Sequence, residues 1–267
     1  MYAIVNGNEA GWTSTRTVGL LGAAVALLAA FLAIEARVRE PLMPLGMFKL
    51  RNVSAANIVG VLWAAAMFAW FFLSALYMQL VLGYGPMQVG LAFLPANLIM
   101  AAFSLGLSAK IVMRFGIRGP LAVGLLIAAA GLGLFAFAPV DGQFATHVLP
   151  GMVLLGFGAG LAFNPVLLAA MSDVAPADSG LASGLVNTSF MLGGALGLAV
   201  LASFAAAKTA TLQALGVDAA TALNGGYRVA FLLGALCAAG AGIYGWLVIR
   251  ARMPAAPQHD GEPVPVE

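Results

Sequence analysis

The chain of 267 residues is 62% hydrophobic and only 8% charged, whereas a soluble domain carries about 25% charged residues. This composition excludes an ordinary soluble globular protein and is typical of a polytopic α-helical membrane protein. The formal charge of +2 is too small to indicate a nucleic-acid partner.

Long stretches without Asp, Glu, Lys or Arg mark the membrane-spanning elements: positions 52 to 109, 119 to 140, 179 to 207 and 229 to 249. About 20 apolar residues cross the hydrocarbon core, so the first stretch is too long for one crossing, and the turn at 83–86 divides it. A charge at mid-bilayer costs roughly 2.5–3.5 kcal/mol, which confines charges to the loops. The pattern predicts seven spanning helices, at 18–34, 55–82, 89–109, 121–138, 149–170, 181–205 and 229–249.

The basic residues predict the topology. Nine of them fall in loops on one side and three on the other, so the side with nine, and the C-terminus, are expected in the cytoplasm. Segment 1–17 is then external, 35–53 is a cytoplasmic loop, and the proline-rich, acidic tail 253–267 is expected to be disordered. The nine are Arg37, Arg39, Lys49, Arg51, Lys110, Arg114, Arg118, Arg250 and Arg252; the three are Arg16, Lys208 and Arg228.

The external N-terminus has no cleavable signal peptide and precedes an odd number of helices. Such a start normally follows an upstream crossing. The pattern therefore predicts that the chain is the C-terminal half of a longer protein.

The turn after the third predicted helix combines glycines with basic residues: Gly106, Lys110, Arg114, Gly116 and Arg118. Small residues permit close helix approach, and the cations can meet helix C-termini or acidic partners. An ordinary positive-inside loop would carry the same basic residues. Because Asp173 is expected at the same membrane face, we predict that it pairs with Arg118 or Arg114 and helps to latch an inner gate.

The sixth predicted helix carries the most specific motif, DSGLASGLVNTSFMLGGALGLAVL at 178–201. It resembles the penultimate helix of the 14-helix drug:proton antiporters of the major facilitator superfamily. Further blocks match in order, at 77–95 and at 156–165, and the 106–120 turn resembles the superfamily's loop signature, with Lys110 near the place of the usual Asp. The resemblance extends from position 2 to about 252.

This resemblance implies an all-α integral membrane fold, in which a six-helix transporter bundle at 54–252 follows one extra linker helix at 18–34. It implies the C-terminal portion of a proton-coupled exporter of drugs or other small amphipathic molecules, working by alternating access in the plasma (inner) membrane. Its partners would be the lipid bilayer, a small-molecule substrate, and protons bound by the N-terminal half, where the coupling carboxylates would lie.

Polar and aromatic residues at mid-membrane are the candidate substrate contacts, because an unsatisfied amide is costly in hydrocarbon. We predict Asn97, Asn164 and Asn187 as polar contacts and Trp63 and Tyr77 as apolar walls of a pocket for flat hydrophobic compounds. The competing interpretation is that the amides serve helix packing and that the aromatic rings face lipid or neighbouring helices.

Five glycines lie along one face of the sixth helix and predict close helix packing. A sliding contact used in alternating access and a static contact are both compatible with this spacing. The five are Gly180, Gly184, Gly193, Gly194 and Gly197.

No titratable residue is expected at mid-membrane, no phosphate-binding Gly-Lys-Ser/Thr loop is present, and neither His147 nor His259 has metal-ligand neighbours in the sequence. We therefore expect no enzyme activity, no catalytic residue, no metal and no cofactor. Two alternatives stay open. One is a truncated, non-transporting remnant of a transporter; the other is a seven-helix receptor, although a retinal protein is excluded because 229–249 lacks a lysine.

Overall fold

The structure is a computed structural model, and it describes residues 14–35, 37–38, 45–175 and 178–250. Within these residues, seven helices are long and apolar enough to cross a membrane, and no strand is present. The predicted all-α fold is therefore confirmed. The helices are α1 Thr15–Glu35, α2 Arg51–Val81, α3 Pro86–Phe115, α4 Arg118–Ala136, α5 Phe144–Met171, α6 Ser179–Ala214 and α7 Ala219–Val248.

Helices α6 and α7 are longer than their charge-free stretches. Helix α6 continues past Lys208 to Ala214, and α7 begins at Ala219, before Arg228. Charged residues mark the edge of the hydrocarbon, but a helix does not have to end there, because its backbone hydrogen bonds are internal.

A compact turn joins α6 to α7. Gly216 has φ of 80° and its N–H donates to the carbonyl O of Gln213, while the N–H of Val217 donates to that of Leu212. This is a Schellman motif, in which glycine takes the left-handed conformation that other residues avoid. Asp218 then caps α7, because its Oδ1 accepts from the N–H of Thr221 at 3.0 Å.

Helix α3 is irregular. Its second α-helical segment, Leu94–Ala102, has Pro95 in the first turn, where the missing N–H costs nothing. A π-helical turn follows at Phe103–Leu107, with Gly106 at φ of 117°. Helix α3 therefore bends at positions where its sequence removes or redirects backbone hydrogen bonds.

Helix α2 supplies much of the buried core. Its residues Trp63, Trp70 and Tyr77 are each at most 1% exposed. Between α4 and α7, the ring of Phe135 lies tilted against that of Phe231, with 5.3 Å between the ring centres. By contrast, α1 turns most of its side chains outward within the described structure.

Close helix approach depends on glycine at several interfaces, and those of α6 with α2 and of α4 with α5 illustrate it. A methyl group placed on Gly193 or Gly197 would lie 2.7 Å from Cα of Val61 or 2.6 Å from Cα of Ala65, so α6 packs directly on α2. A methyl group placed on Gly124 of α4 would lie 2.8 Å from the carbonyl O of Gly158 on α5. The α4–α5 interface was not predicted from the sequence.

The predicted packing role does not extend along all of α6. Gly194 contacts the ring of Phe68, whereas a methyl group on Gly180 or Gly184 would meet nothing within 4 Å. Gly180 and Gly184 thus pack against no described neighbour in this conformation, and their packing role stays a prediction. The glycine spacing identified the correct helix but could not show how far along it the neighbouring helix stays close.

Three predicted segments fall wholly or partly outside the described residues. Positions 1–13 of the external segment, part of the 35–53 loop and the tail 253–267 belong to this group. Their assignments stay predictions, as does the assignment of α1 as a linker helix.

Candidate functional site

An apolar cavity of about 220 Å³ lies between α2, α5 and α6. Its lining follows helical spacing, since each helix contributes residues three or four positions apart, which share one helix face. The lining residues are Trp63, Met67 and Phe68 of α2, Phe163, Val166 and Leu167 of α5, and Val186, Asn187, Phe190 and Met191 of α6.

Phe190 holds the aromatic part of this cavity together. Its ring meets Phe68 edge-on, with ring centres 6.1 Å apart and planes at 79°, and meets Phe163 at 6.0 Å and 90°. Edge-to-face pairs of this kind are favourable beyond the area that they bury. The three helices are therefore linked through one ring at the cavity wall.

One side chain of the lining offers an accessible hydrogen-bonding group, whereas the nitrogen of Trp63 is buried. Asn187 presents an exposed amide, which can both donate and accept. Trp63 is 1% exposed, and its Nε1 has no hydrogen-bond partner among the described residues. Among the residues that the structure describes, no charged side chain lines the cavity. This environment suits a flat apolar molecule with one or two polar groups.

The structure brings together only two of the five predicted substrate contacts. Trp63 and Asn187 line the cavity, whereas Asn97 is exposed on α3 and Asn164 is half-buried on α5 outside the lining. Tyr77 donates its hydroxyl to the carbonyl O of Pro139 at 2.7 Å instead. These three residues therefore do not line this cavity, and their role as substrate contacts stays a prediction.

Sequence reasoning missed Phe163 and Phe190 as cavity residues. Phe190 lies three positions after Asn187, and Phe163 immediately precedes Asn164. The helical spacing from Asn187 was the available signal for Phe190. For Phe163, no signal in the sequence shows which side of α5 faces α6.

The Tyr77 contact belongs to the end of the bundle that is predicted to be external. There, Asn224 Nδ2 donates to the carbonyl O of Ala138 at 3.1 Å. The guanidinium of Arg228 lies over the ring of Phe137, 4.9 Å from its centre. The C-terminal end of α4 is thus held by α2 and α7.

The opposite, basic end contains a buried polar junction around Asn52, which is 1% exposed. Its Nδ2 donates to Ser172 Oγ at 2.9 Å and to Asp173 Oδ1 at 3.1 Å, and its Oδ1 accepts from the N–H of Arg250 at 2.8 Å. Three segments meet there: the start of α2, the residues that follow α5 and the residues that follow α7.

The predicted ion pair of Asp173 with Arg118 or Arg114 is not formed among these described residues. The carboxylate of Asp173 is hydrogen-bonded to Asn52, while Arg118 donates through Nε and Nη2 to the carbonyl O of Trp246 and lies 5.1 Å from the centre of its ring. Arg118 therefore meets the C-terminal end of α7, where a cation is favoured by the helix dipole.

The remaining residues of the loop motif close α3. Gly116 has φ of 74° directly after the helix, and Lys110 and Arg114 are exposed. Arg114 lies over its neighbour Phe115, 5.5 Å from the ring centre. Of the basic residues in this motif, Arg118 alone forms a hydrogen bond with another helix within the described structure.

Apolar spanning helices that enclose a cavity define a multi-pass membrane protein of the transporter class. Residues 4–198 match the Major Facilitator Superfamily model, and the chain belongs to this family.

Among similar proteins, the Puromycin resistance protein pur8 of Streptomyces alboniger is 34% identical over 93% of this chain and 50% of its own length. The Cephamycin export protein CmcT of Amycolatopsis lactamdurans is 38% identical over 73% of this chain and 40% of its own. The Multidrug resistance protein Stp of Mycobacterium tuberculosis is 33% identical over 80% and 39%. The chain thus spans half or less of these relatives.

Proposed function

We propose that this chain forms the C-terminal half of a proton-coupled exporter of drugs or other small amphipathic molecules. The observation that carries the proposal is the uncharged aromatic cavity between α2, α5 and α6. Relatives named for resistance or export support the same conclusion.

The cavity would provide part of the substrate site. The rings of Phe163 and Phe190 offer apolar surface to a flat compound, and the amide of Asn187 offers a donor and an acceptor. Trp63 adds the buried edge of its ring to the apolar wall. Weak, multiple contacts of this kind suit the binding of several related compounds.

Proton coupling would be supplied from outside this chain. Helices α2 to α7 contain no Asp or Glu, and a proton-driven transporter needs a titratable group in the membrane. The complementary half of the transporter would carry this carboxylate, so the chain by itself would drive no export and would catalyse no reaction.

The cell (plasma or inner) membrane would be the location, with the C-terminus in the cytoplasm. The excess of basic residues at the end of the bundle that contains Arg51, Arg118 and Arg250 supports this orientation.

A chimera tests the proposal. The region of the puromycin resistance protein that matches this chain is replaced by residues 2–252, and proton-gradient-dependent export is measured in inverted vesicles. Export by the chimera, and none by residues 1–267 alone, is the expected result. An inactive but stably folded chimera would favour the non-transporting remnant. Export by residues 1–267 alone would contradict the half-transporter proposal.

A further inference from the structure

A second cavity, of about 340 Å³, opens at the basic end of the bundle and is lined by Leu50, Arg51, Asp173 and Arg250. It shares no lining residue with the aromatic cavity. Leu50 and Arg51 lie at the start of α2, Asp173 follows α5, and Arg250 follows α7. The cavity therefore lies where three spanning helices end at one face of the membrane.

The two arginines of this cavity keep hydrogen-bond donors free. Arg51 donates from Nε to the carbonyl O of Val248 at 2.8 Å, which fixes its guanidinium against the end of α7. Its Nη groups have no partner among the described residues, and neither has the side chain of exposed Arg250. Free guanidinium groups on a shared cavity are suited to a multi-oxygen anion, which they can bind bidentately.

Asp173 does not cancel this positive charge by direct contact. Both of its carboxylate oxygens face Asn52, with Oδ2 accepting from the backbone N–H and Oδ1 from Nδ2, each at 3.1 Å. Among the described residues, the lining carries two arginines and one aspartate, a net charge of +1.

We propose that this cavity binds a phosphate group, held by charge-assisted hydrogen bonds from Arg51 and Arg250. Its place at the ends of two spans, Arg51–Val81 and Ala219–Val248, is the depth at which lipid headgroups lie. By the predicted topology this is the cytoplasmic leaflet, which is rich in anionic lipids. A free phosphate offers the same oxygens. The proposal does not rest on transport.

The test measures binding to purified residues 1–267 in detergent by the rise in melting temperature. The probes are a short-chain phosphatidylglycerol, the phosphatidylcholine with the same acyl chains, and inorganic phosphate. Phosphatidylglycerol is expected to stabilise the protein and phosphatidylcholine to bind about tenfold more weakly, because its choline is repelled by the net charge. If inorganic phosphate stabilises equally, the ligand is a free anion; if only phosphatidylglycerol does, it is a lipid headgroup.

Substitutions connect this binding to the cavity. Arg250→Gln should weaken binding of the stabilising probe about tenfold, the loss expected for charge-assisted hydrogen bonds. Because the Arg250 side chain makes no bond within the described structure, this variant should keep the ligand-free melting temperature even if Arg51→Gln does not fold. The matched control, Arg114→Gln, removes an exposed charge at the same face and should change affinity less than about twofold.

Two results would overturn the proposal. One is that neither phosphatidylglycerol nor inorganic phosphate raises the melting temperature. The other is that Arg250→Gln binds both probes as well as Arg114→Gln does. Because the readout is binding rather than export, either result would leave the proposed transport function untouched.

Discussion

The carboxylate of Asp173 accepts two hydrogen bonds from Asn52, one from its backbone N–H and one from its side-chain Nδ2, each at 3.1 Å. Leu50, at the N-cap position of α2, offers no side-chain cap of its own. Asp173 therefore caps the first turn of α2 from the end of α5, a contact between residues 121 positions apart. This cap connects the two helices at the basic end of the bundle.

Replacement of Asn52 by Ala should destabilise the bundle. The substitution removes the partners of Asp173 Oδ1 and of the Arg250 N–H at a site that is 1% exposed. Unpaired buried polar groups cost about 1–3 kcal/mol. Thermal unfolding of purified residues 1–267 in detergent would measure the loss. Asn97→Ala, at an exposed position of α3, is the control and should change stability little. Equal melting temperatures for the two variants would disprove the structural role of Asn52.

The spanning helices could be predicted because the hydrocarbon excludes charge, a rule that needs only the sequence. The Asn52–Asp173 contact could not. The sequence predicts that Arg118 and Asp173 lie at the same membrane face. It does not predict which helix ends are neighbours at that face, and so it does not predict which residues pair. Arg118 contacts α7 and Asp173 contacts α2.

The candidate site was predicted in part for a similar reason. Trp63 and Asn187 were identified because polar and aromatic residues are costly or distinctive at mid-membrane. Tyr77 does not line this cavity, and helix geometry was sufficient to predict that. A rise of 1.5 Å per residue places it roughly 21 Å along α2 from Trp63, too far for both to line one small cavity.

Gly197→Ala should lower stability through overpacking at the α2–α6 interface. The added methyl group would lie 2.6 Å from Cα of Ala65, where backbone must move to make room, at a cost of about 1–3 kcal/mol. Gly184→Ala is the matched control on the same helix, because a methyl group there meets nothing within 4 Å. Its change should stay within about 0.5 kcal/mol. Melting temperatures would rank the variants, and a cost for Gly184→Ala as large as that for Gly197→Ala would contradict the observed packing.

Single-cysteine labelling of intact cells should confirm the topology. In a Cys237→Ala background, Phe115→Cys and Leu215→Cys both replace exposed side chains, 66% and 75% exposed, at opposite ends of the bundle. An impermeant maleimide should label only Leu215→Cys from outside, because the basic turn that contains position 115 is expected in the cytoplasm. Both should react after permeabilisation. Efficient labelling of Phe115→Cys in intact cells would reverse the orientation.

The cap of α7 should depend on pH. Hydrogen bonds from Thr221, first from its backbone N–H, lower the pKa of Asp218 below its ordinary value of 3.8. A lowered pKa in the folded state means that the cap stabilises α7 above about pH 4 and is lost as the pH falls through the lowered value. Hydrogen-exchange protection at 219–224, corrected for intrinsic rates, should therefore decrease toward pH 3. Asp218→Asn keeps a capping side chain without a titrating group. The same decrease in that variant would show that protonation of Asp218 does not cause the loss of protection.

Asn187→Ala should change which compounds the chimera exports more than it changes the abundance of the protein. The exposed Asn187 amide lines the aromatic cavity and has no hydrogen bond to another described side chain. Its removal should therefore eliminate a contact with the bound compound and leave the contacts between helices in place. Losing one hydrogen bond to a bound compound lowers affinity roughly three- to tenfold.

Export assays with a panel of flat compounds, some with and some without a hydrogen-bonding group, would measure this change in selectivity. Asn97→Ala removes the same amide from α3, outside this cavity, and should change the export profile less than Asn187→Ala does. A uniform fall in folded protein for Asn187→Ala, with an unchanged export profile, would show that this amide serves helix packing instead.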